Sequence, residues 1–192
     1  NGSGKSTMMK IAAGLVKPNT GTVTYNDTPI GTETKKHIAY MSTEPFYYDY
    51  MKIQDVEQFY ADFFADFDRA RFASLLQFMQ LTPELKVKSL SSGMAAKLKI
   101  AATLSRNAEV CMLDEPLNGV DFKAREQIVE MILSQANESR TIVMSTHLIE
   151  EIESYVEEAI FIKDGKLADI VNLERERMTT GRSLTELYMQ LM

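Results

Sequence analysis

The sequence predicts an α/β domain built on a mainly parallel sheet, and two observations lead to this fold class. Short apolar runs recur at residues 38–41, 110–113 and 142–145. Runs that are apolar almost throughout are typical of strands buried on both faces of a parallel sheet. Apolar residues at helical spacing occupy the segments between the runs, and strands that alternate with helices form layered α/β domains.

Composition and charge limit the classes of protein to which the chain can belong. Its 192 residues predict one domain, and a hydrophobic fraction of 45% is enough to form a core. A formal net charge of −6 without a run of basic residues disfavours binding to nucleic acid. The longest apolar run, residues 11–16, is far shorter than the roughly 18 residues that a membrane span needs. A single cysteine, Cys111, excludes an internal disulfide.

The first part of the chain predicts a helix followed by a short strand. Apolar residues at helical spacing predict a helix over residues 5–15, which Gly14 and Pro18 would end. Residues 22–25 lie between two turn sequences and predict a short strand.

Residues 53–105 differ from the rest of the chain because they are almost wholly helical in pattern and rich in aromatic side chains. They predict a helical subdomain. Its apolar residues at helical spacing favour core packing over a binding surface as their role; they are Phe59, Phe63, Phe67, Phe72, Leu75, Leu76 and Met79.

The last third of the chain predicts further elements. A glutamate-rich segment, residues 150–158, predicts a helix with a solvated face, and residues 159–162 predict a strand followed by a turn at 163–165. The sequence Ser-Leu-Thr-Glu at residues 183–186 is a capping box that starts a helix. That helix would pack on the domain through an apolar stripe formed by Leu184, Leu187, Tyr188 and Leu191.

The chain begins with Asn-Gly-Ser-Gly-Lys-Ser-Thr, which matches the second part of the phosphate-binding loop G-x-x-x-x-G-K-[ST]. Glycines let backbone N–H groups converge on a phosphate, and the helix that follows adds its positive end. Lys5 would then contact the β- and γ-phosphates, and the Ser6 hydroxyl would bind Mg²⁺. A flexible turn before a helix is the alternative interpretation. The predicted nucleotide-binding residues are Asn1, Gly2, Ser3, Gly4, Lys5, Ser6 and Thr7.

Two acids, Asp114 and Glu115, follow the apolar run at 110–113. The end of a parallel strand lies at the carboxyl edge of the sheet, where ligands bind in such folds. Asp114 is therefore predicted to hold Mg²⁺ through water. Glu115 is predicted to lie beside the γ-phosphate, where it would act as general base on the attacking water or orient that water. A strand that ends in a solvated turn would show the same pattern, but the lysine loop favours the catalytic interpretation.

With these motifs, the sequence resembles the ATP-binding domain of an ABC transporter, a P-loop NTPase of the ABC ATPase type. Residues 90–94, Leu-Ser-Ser-Gly-Met, resemble the LSGGQ signature of this family. Residues 117–121, Leu-Asn-Gly-Val-Asp, follow the two acids as its D-loop does, and residues 145–147, Ser-Thr-His, end a strand as its switch histidine does. Five motifs in the family's order extend over almost the whole chain.

The resemblance implies a mechanism and partners. In the family two ATP-binding subunits pack head to tail, so Ser91, Ser92 and Gly93 of one would face the γ-phosphate bound on the other. His147 would contact that phosphate and sense its loss. ATP and Mg²⁺ are the implied cofactors, and a transmembrane permease is the implied partner, which would hold the chain on the cytoplasmic face of the membrane. The pattern is most similar to bacterial exporter subunits, and no nucleic-acid partner is expected.

Three positions depart from the family pattern. The family usually has a metal-contacting glutamine after the strand at 38–41, where this sequence has Thr43 and Glu44. Glu44 could still bind a hydrated metal through oxygen, and it is the third predicted metal ligand beside Ser6 and Asp114. Ser92 replaces a signature glycine, and Phe122 stands where proline is common. The aromatic residues at 46–51 would form part of a groove for a helix of the permease, as the resemblance implies, or would pack within the helical lobe.

Because only the second part of the phosphate loop is present, we expect residues 1–192 to be a single cassette domain truncated at its N-terminus. A strand before the loop, an antiparallel strand region and an aromatic residue that stacks on adenine would be missing, so the chain alone would bind ATP poorly. Two other functions stay open at this point. One is a soluble ATPase of this type that acts on nucleic acid or ribosomes, and the other is a nucleotide-binding regulator that does not hydrolyse ATP.

Overall fold

The computed structural model describes residues 2–44 and 47–191. Along the chain, helices and strands alternate as the sequence predicts. The elements are α1 (Lys5–Ala12), β1 (Thr24–Tyr25), β2 (Thr28–Pro29), α2 (Thr32–Lys35), β3 (Ile38–Met41), α3 (Ile53–Phe63), α4 (Arg69–Phe78), a 3₁₀ helix (Val87–Ser89), α5 (Ser92–Leu104), β4 (Val110–Asp114), α6 (Phe122–Leu133), β5 (Thr141–Ser145), β6 (Glu158–Lys163), β7 (Lys166–Asn172), α7 (Leu173–Thr180) and α8 (Leu184–Leu191).

The three predicted apolar strands form one parallel sheet in the order β3-β4-β5. Val110 of β4 is paired with Ile38 on one side and Thr141 on the other. The central strand buries Cys111 and Leu113, as expected of a strand covered on both faces. β5 is only half-buried along most of its length, because it is an edge strand of this sheet. The α/β fold class is confirmed.

Strands β6 and β7 form a separate antiparallel hairpin. Its two turn residues, Asp164 and Gly165, both have positive φ angles, of 50° and 72°. Two left-handed residues in succession are what a type I′ hairpin turn requires. The predicted strand at 159–162 and the predicted turn at 163–165 are therefore confirmed.

Residues 53–105 contain α3, α4, the 3₁₀ helix and α5, and no strand is assigned within this stretch, all of which lies in the described part of the chain. Ile53, Phe72 and Leu98 from these helices are fully buried in the same hydrophobic core as Leu113 of the sheet. Core packing is thus confirmed for most of the aromatic and aliphatic residues at helical spacing. Phe63 is the exception, because it is exposed at the end of α3. The division into a separate helical subdomain stays a prediction.

Two elements near the N-terminus are shorter than predicted. α1 ends at Ala12, and the N–H groups of Gly14 and Leu15 bond back to the carbonyls of Ile11 and Lys10. Gly14 has a φ angle of +69°, a left-handed conformation that ends a helix, and Leu15 beyond it is exposed. The strand expected over residues 22–25 pairs only at Thr24–Tyr25, because a two-residue turn reverses the chain at once.

The glutamate-rich helix predicted over residues 150–158 is wrong. Residues 150–155 form turns, and Glu158 already belongs to β6. Instead of lining one solvated face, these glutamates make separate contacts with different parts of the chain. Glu151 pairs with Arg125, and the Glu153 carboxylate accepts bonds from the Leu184 N–H and the Thr185 hydroxyl. These tertiary contacts hold the segment in a conformation that local propensity does not favour.

The C-terminal helix forms as its capping box predicts. The Ser183 hydroxyl accepts a bond from the Glu186 N–H, and the Glu186 carboxylate accepts one from the Ser183 N–H. The bond from the Ser183 N–H, and then an interaction with the Ser183 side chain, hold the pKa of the Glu186 carboxyl below its usual range. Leu184 and Leu187 are buried in a second small core with Phe161 of β6. α7, which Asn172 caps, is an element that the sequence analysis does not identify.

Replacement of Ser183 by alanine is expected to lower the free energy of unfolding by about 1 kcal/mol, because a capping side chain is lost from α8. Urea denaturation of the two proteins measures this difference. Ser183→Asp is the matched control, because its carboxylate can accept the same bond and the loss should be regained. An alanine variant as stable as the parent would show that the cap contributes nothing.

Within the described residues, no helix combines the length and the apolar character that crossing a membrane requires.

Candidate functional site

The phosphate-loop residues lie immediately before α1 and in its first turn. Gly2 and Gly4 have φ angles of +83° and +101°, and Gly4 occupies the position before the first helical residue. Only glycine adopts such angles without strain, so the loop conformation depends on both positions. The ammonium of Lys5 bonds to the Ser3 hydroxyl at 3.2 Å, and Thr7 is exposed in the first turn. Asn1, also predicted to bind nucleotide, lies outside the described residues.

The loop also contacts the β6–β7 hairpin. The Gly165 N–H donates to the carbonyl of Ser3 at 3.0 Å. A Cβ on Gly4 would lie 3.5 Å from the Cα of Gly165, which is ordinary van der Waals contact. The hairpin turn therefore packs directly on the loop, and it fixes one side of it.

Asp114 ends β4, and its side chain is completely buried. Three hydroxyls donate to its carboxylate: Ser6 at 2.9 Å, Ser145 at 2.5 Å and Tyr40 at 3.1 Å. Burial raises the pKa of Tyr40 above its usual range, and the charge and hydrogen bond of Asp114 raise it further. The structure thus brings together Ser6 and Asp114, the two residues that the sequence predicts as metal ligands from distant parts of the chain.

Glu115 and His147 also lie together, as predicted for residues that act on one phosphate. Nδ1 of His147 is 2.9 Å from Oε2 of Glu115, and their side chains are 48% and 12% exposed. Glu115 has a φ angle of +49°, which is rare for a residue with a Cβ. Its N–H bonds to the carbonyl and hydroxyl of Ser145, which hold the strained turn. Strain of this kind persists where surrounding bonds enforce it and is frequent at functional sites.

The signature residues start α5, as predicted. The Ser91 hydroxyl caps the helix by accepting a bond from the Met94 N–H, and the Ser92 hydroxyl donates to the carbonyl of Gly119. A Cβ on Gly93 would lie 3.8 Å from the carboxylate of Asp121. The signature therefore contacts the turn after Glu115. Within the described chain, no hydrogen bond joins residues 91–93 to residues 2–7.

Glu44, the third predicted metal ligand, is exposed, and in the described part of the chain its side chain makes no hydrogen bond to Asp114 or Ser6. Its carbonyl accepts a bond from the Ser42 hydroxyl. The ammonium of Lys99 on α5 donates to the carbonyls of Ser42 and Thr43, at 3.2 and 2.7 Å. Burial lowers the pKa of Lys99, and the charge of Asp114 opposes that shift.

Three polar residues at this site have no role predicted from the sequence: Tyr40, Ser145 and Lys99. Ser145 could have been found from strand order alone, because in a parallel sheet its register places it beside Asp114. Tyr40 is a polar residue inside an apolar strand, and this pattern indicates a role at the site less clearly. Lys99 lies on a helix far along the chain from residues 42–43, and no sequence pattern indicates that contact.

His37, which the sequence leaves as a surface or packing residue, lies at the opposite edge of the sheet. Nδ1 of His37 is 2.7 Å from a carboxylate oxygen of Glu109, and its ring stacks on Tyr25. The hydrogen bond from Tyr25, and then that from His37, hold the pKa of Glu109 below its usual range. These residues precede β3 and β4, whereas Asp114 is at the carboxyl end of β4, so they take no part in the site.

The donor set at Asp114 fits Mg²⁺. Ser6 and Asp114 supply only oxygen atoms, which this ion prefers, and a Mg²⁺ site of this type completes its coordination with water and phosphate oxygens. Among the described residues there is no group of three or more His, Cys, Asp or Glu side chains that could hold a metal without a ligand. A metal at this position would therefore need the phosphate of a bound nucleotide.

The sheet and helices have the fold of the ATP-binding subunits of ABC transporters. A solved structure of an ATP-binding subunit of an ABC transporter superposes with a TM-score of 0.85 at 26% identity, over 100% of this chain and 84% of that one. The chain belongs to the ABC transporter family, whose match extends over residues 1–118.

Two curated relatives extend the comparison. An uncharacterized ABC transporter ATP-binding protein, YdbJ of Bacillus subtilis, is 29% identical over 99% of this chain and 64% of its own length. A probable multidrug ABC transporter ATP-binding protein, YbhF of Escherichia coli, is 34% identical over 87% of this chain and 30% of its own. The chain spans between about half and two thirds of the length of the first relatives that it matches, from 49% to 64%.

Proposed function

We propose that this chain forms the nucleotide site of an ATPase that drives a membrane transporter. One observation carries the proposal: hydroxyls from the phosphate loop and from β5 meet the buried carboxylate of Asp114, and the Glu115–His147 pair follows directly. Four separated parts of the chain, residues 2–7, 40, 114–115 and 145–147, thus converge at the carboxyl edge of one parallel sheet. Nucleotides bind at this edge in open α/β sheets.

In this proposal the start of α1 holds the phosphates of ATP. Gly2 and Gly4 allow the backbone of the loop to turn its N–H groups toward one point, and α1 adds its positive end. The Lys5 ammonium, whose one hydrogen bond among the described residues is to the neutral Ser3 hydroxyl, would bond the β- and γ-phosphates. Ser6 and Asp114 would hold Mg²⁺, which supplies charge neutralisation of the phosphates when bound.

Glu115 is the general base of the proposed reaction. Nδ1 of His147 donates to Oε2 of Glu115, because an ionised carboxylate can only accept. Within the described residues Oε1 has no hydrogen-bond partner, so it can take a proton from an attacking water. The bonds that the Glu115 N–H donates to the carbonyl and hydroxyl oxygens of Ser145 fix the turn that presents this oxygen. His147 therefore orients the base as well as lying where a γ-phosphate could be sensed.

Ser91, Ser92 and Gly93 are proposed to complete the nucleotide site of a second ATP-binding subunit. The free N–H groups and the positive end of α5 suit an anion, yet in this chain they make no hydrogen bond to residues 2–7 of the described structure. A second subunit packed head to tail would bring them to a γ-phosphate. Phe122, 79% exposed beside the Gly119 turn that Ser92 contacts, would lie near that interface.

A transmembrane permease is the second proposed partner. The chain would then lie on the inner face of the membrane. Tyr48 and Tyr50 are exposed and stack on each other, with ring centroids 5.4 Å apart. Rigid exposed aromatics suit the docking of a partner helix. Tyr47 is buried, with its hydroxyl bonded to the carbonyl of Ala95, and Phe46 lies outside the described residues. The name of a further relative, the Nod factor export ATP-binding protein I of Burkholderia orbicola, favours export as the direction of transport.

Replacement of Lys5 by alanine is expected to weaken ATP binding roughly 10- to 100-fold, because hydrogen bonds to a charged phosphate are lost. Titration of the protein with ATP and Mg²⁺ in a calorimeter measures the affinity. Lys10→Ala is the matched control, since it removes an ammonium from the last turn of the same helix. Equal affinities of the two variants would contradict the assignment of the phosphate loop. Steady-state phosphate release by the parent protein separates an ATPase from a non-hydrolysing regulator.

A further inference from the structure

We propose that Lys99 is a positioning residue of the nucleotide site, which holds the backbone of residues 42–44 against α5. Its ammonium donates to two successive carbonyls, those of Ser42 and Thr43, at 3.2 and 2.7 Å. These carbonyls come directly after β3 ends at Met41, where the sheet no longer pairs them. The inference rests on the proposed function, because it names a support for that same site.

The environment of Lys99 makes this contact strong. Burial lowers the pKa of the amine, so the ammonium is partly removed from water. A desolvated charge must find protein partners, and two backbone carbonyls supply them. The negative charge of the buried Asp114 carboxylate opposes this shift of the pKa.

Residues 42–44 are held from two directions. Lys99 draws the carbonyls of Ser42 and Thr43 toward α5, and the Ser42 hydroxyl closes a turn on the carbonyl of Glu44. The segment follows Tyr40, whose hydroxyl bonds Asp114. The segment is thus held through Tyr40 by the Asp114 carboxylate and through the Lys99 ammonium by α5.

That helix also carries the signature residues at its start. Lys99 lies seven positions after Ser92 in α5. At a rise of 1.5 Å per residue, about 10 Å of continuous helix joins the two residues. A shift of α5 when residues 91–93 meet an anion would move the Lys99 ammonium and, with it, the backbone that bears Glu44.

Substitution of Lys99 by methionine removes the ammonium and keeps the apolar stem. Lys99→Met is expected to raise the Mg²⁺ concentration needed for half-maximal ATP hydrolysis roughly 10- to 100-fold, with a smaller change in kcat. Lys99→Arg keeps the charge and donors and should restore most of the Mg²⁺ response. Lys97→Met, the matched control, removes an ammonium that makes no side-chain hydrogen bond within the described part of the chain, and should leave the response unchanged.

A second measurement does not depend on ATP hydrolysis. The ¹³C resonances of the Ser42 and Thr43 carbonyls are expected to move upfield in Lys99→Met but not in Lys97→Met, because each carbonyl loses a charged hydrogen-bond donor. If the parent protein hydrolyses no ATP, the proposed function fails, but these resonances still decide the role of Lys99. Should Lys99→Met not fold, Lys99→Gln is compared with Lys99→Arg in the same two measurements. Unchanged carbonyl resonances together with an unchanged Mg²⁺ response would overturn the proposal.

Discussion

Replacement of Glu115 by glutamine is expected to slow ATP hydrolysis roughly 10²–10⁴-fold, because the amide cannot accept a proton from the attacking water. Glutamine has nearly the same shape as glutamate, so the contact with His147 and the left-handed turn after β4 should persist. ATP binding and ATP-dependent association of two subunits should therefore be retained. Phosphate release under steady state and size-exclusion chromatography with ATP measure the two properties.

Glu109→Gln is the matched control for this prediction. Glu109 precedes the same strand, at the other edge of the sheet, and its carboxylate bonds Tyr25 and His37. Its loss should leave the turnover rate within about twofold of the parent, because distant surface substitutions rarely alter a site. Equal turnover of the Glu115 variant and the parent would remove Glu115 from the role of general base.

The second large effect is expected on stability, at Arg106, which follows α5. The side chain is only 7% exposed and forms a salt bridge of 3.0 Å with Asp66. It also donates to the carbonyls of Lys36 and Ile38, and its guanidinium lies 4.1 Å from the centre of the Phe64 ring. One side chain thus joins the loop between α3 and α4 to the start of β3.

Arg106→Met is expected to lower the free energy of unfolding by about 3–5 kcal/mol, because it leaves Asp66 and two backbone carbonyls without their partner. Urea denaturation followed by circular dichroism gives the difference. Arg69→Met serves as control: Arg69 pairs with Glu57 at 3.0 Å, but at the surface. An exposed pair of that kind contributes about 1 kcal/mol or less. Similar losses in the two variants would show that Arg106 does not link these parts of the molecule.

The parts of the fold that the sequence predicts correctly are those with strong local signals. Residues 38–41, 110–113 and 142–145 are apolar on both faces, and they form one parallel sheet. The position of Asp114 follows from this sheet, because the carboxyl ends of parallel strands all lie at the same edge, where ligands bind. The capping box at Ser183 is equally local, since both of its hydrogen bonds join residues three apart.

The errors occur where distant contacts outweigh local preference. Residues 150–155 are rich in glutamate, which favours a helix, but Arg125 and the start of α8 bind their carboxylates singly. Tertiary contacts of this kind override propensities, which amount to only about 0.7 kcal/mol or less per ordinary residue. Leu15 has the helical spacing of α1, yet the left-handed Gly14 ends the helix before it.

The sequence by itself determined the order of the motifs, the residues of the phosphate loop and the two acids after β4, because each depends on residue type at short spacing. Only the tertiary structure decided which side chains meet at Asp114. Tyr40, Ser6 and Ser145 reach its carboxylate from three separate segments. Lys99 likewise reaches residues 42–43 from another helix. Strand order could have indicated Ser145, but the contacts of Tyr40 and Lys99 are fixed by the packing of helices on a sheet, which spacing along the chain does not record.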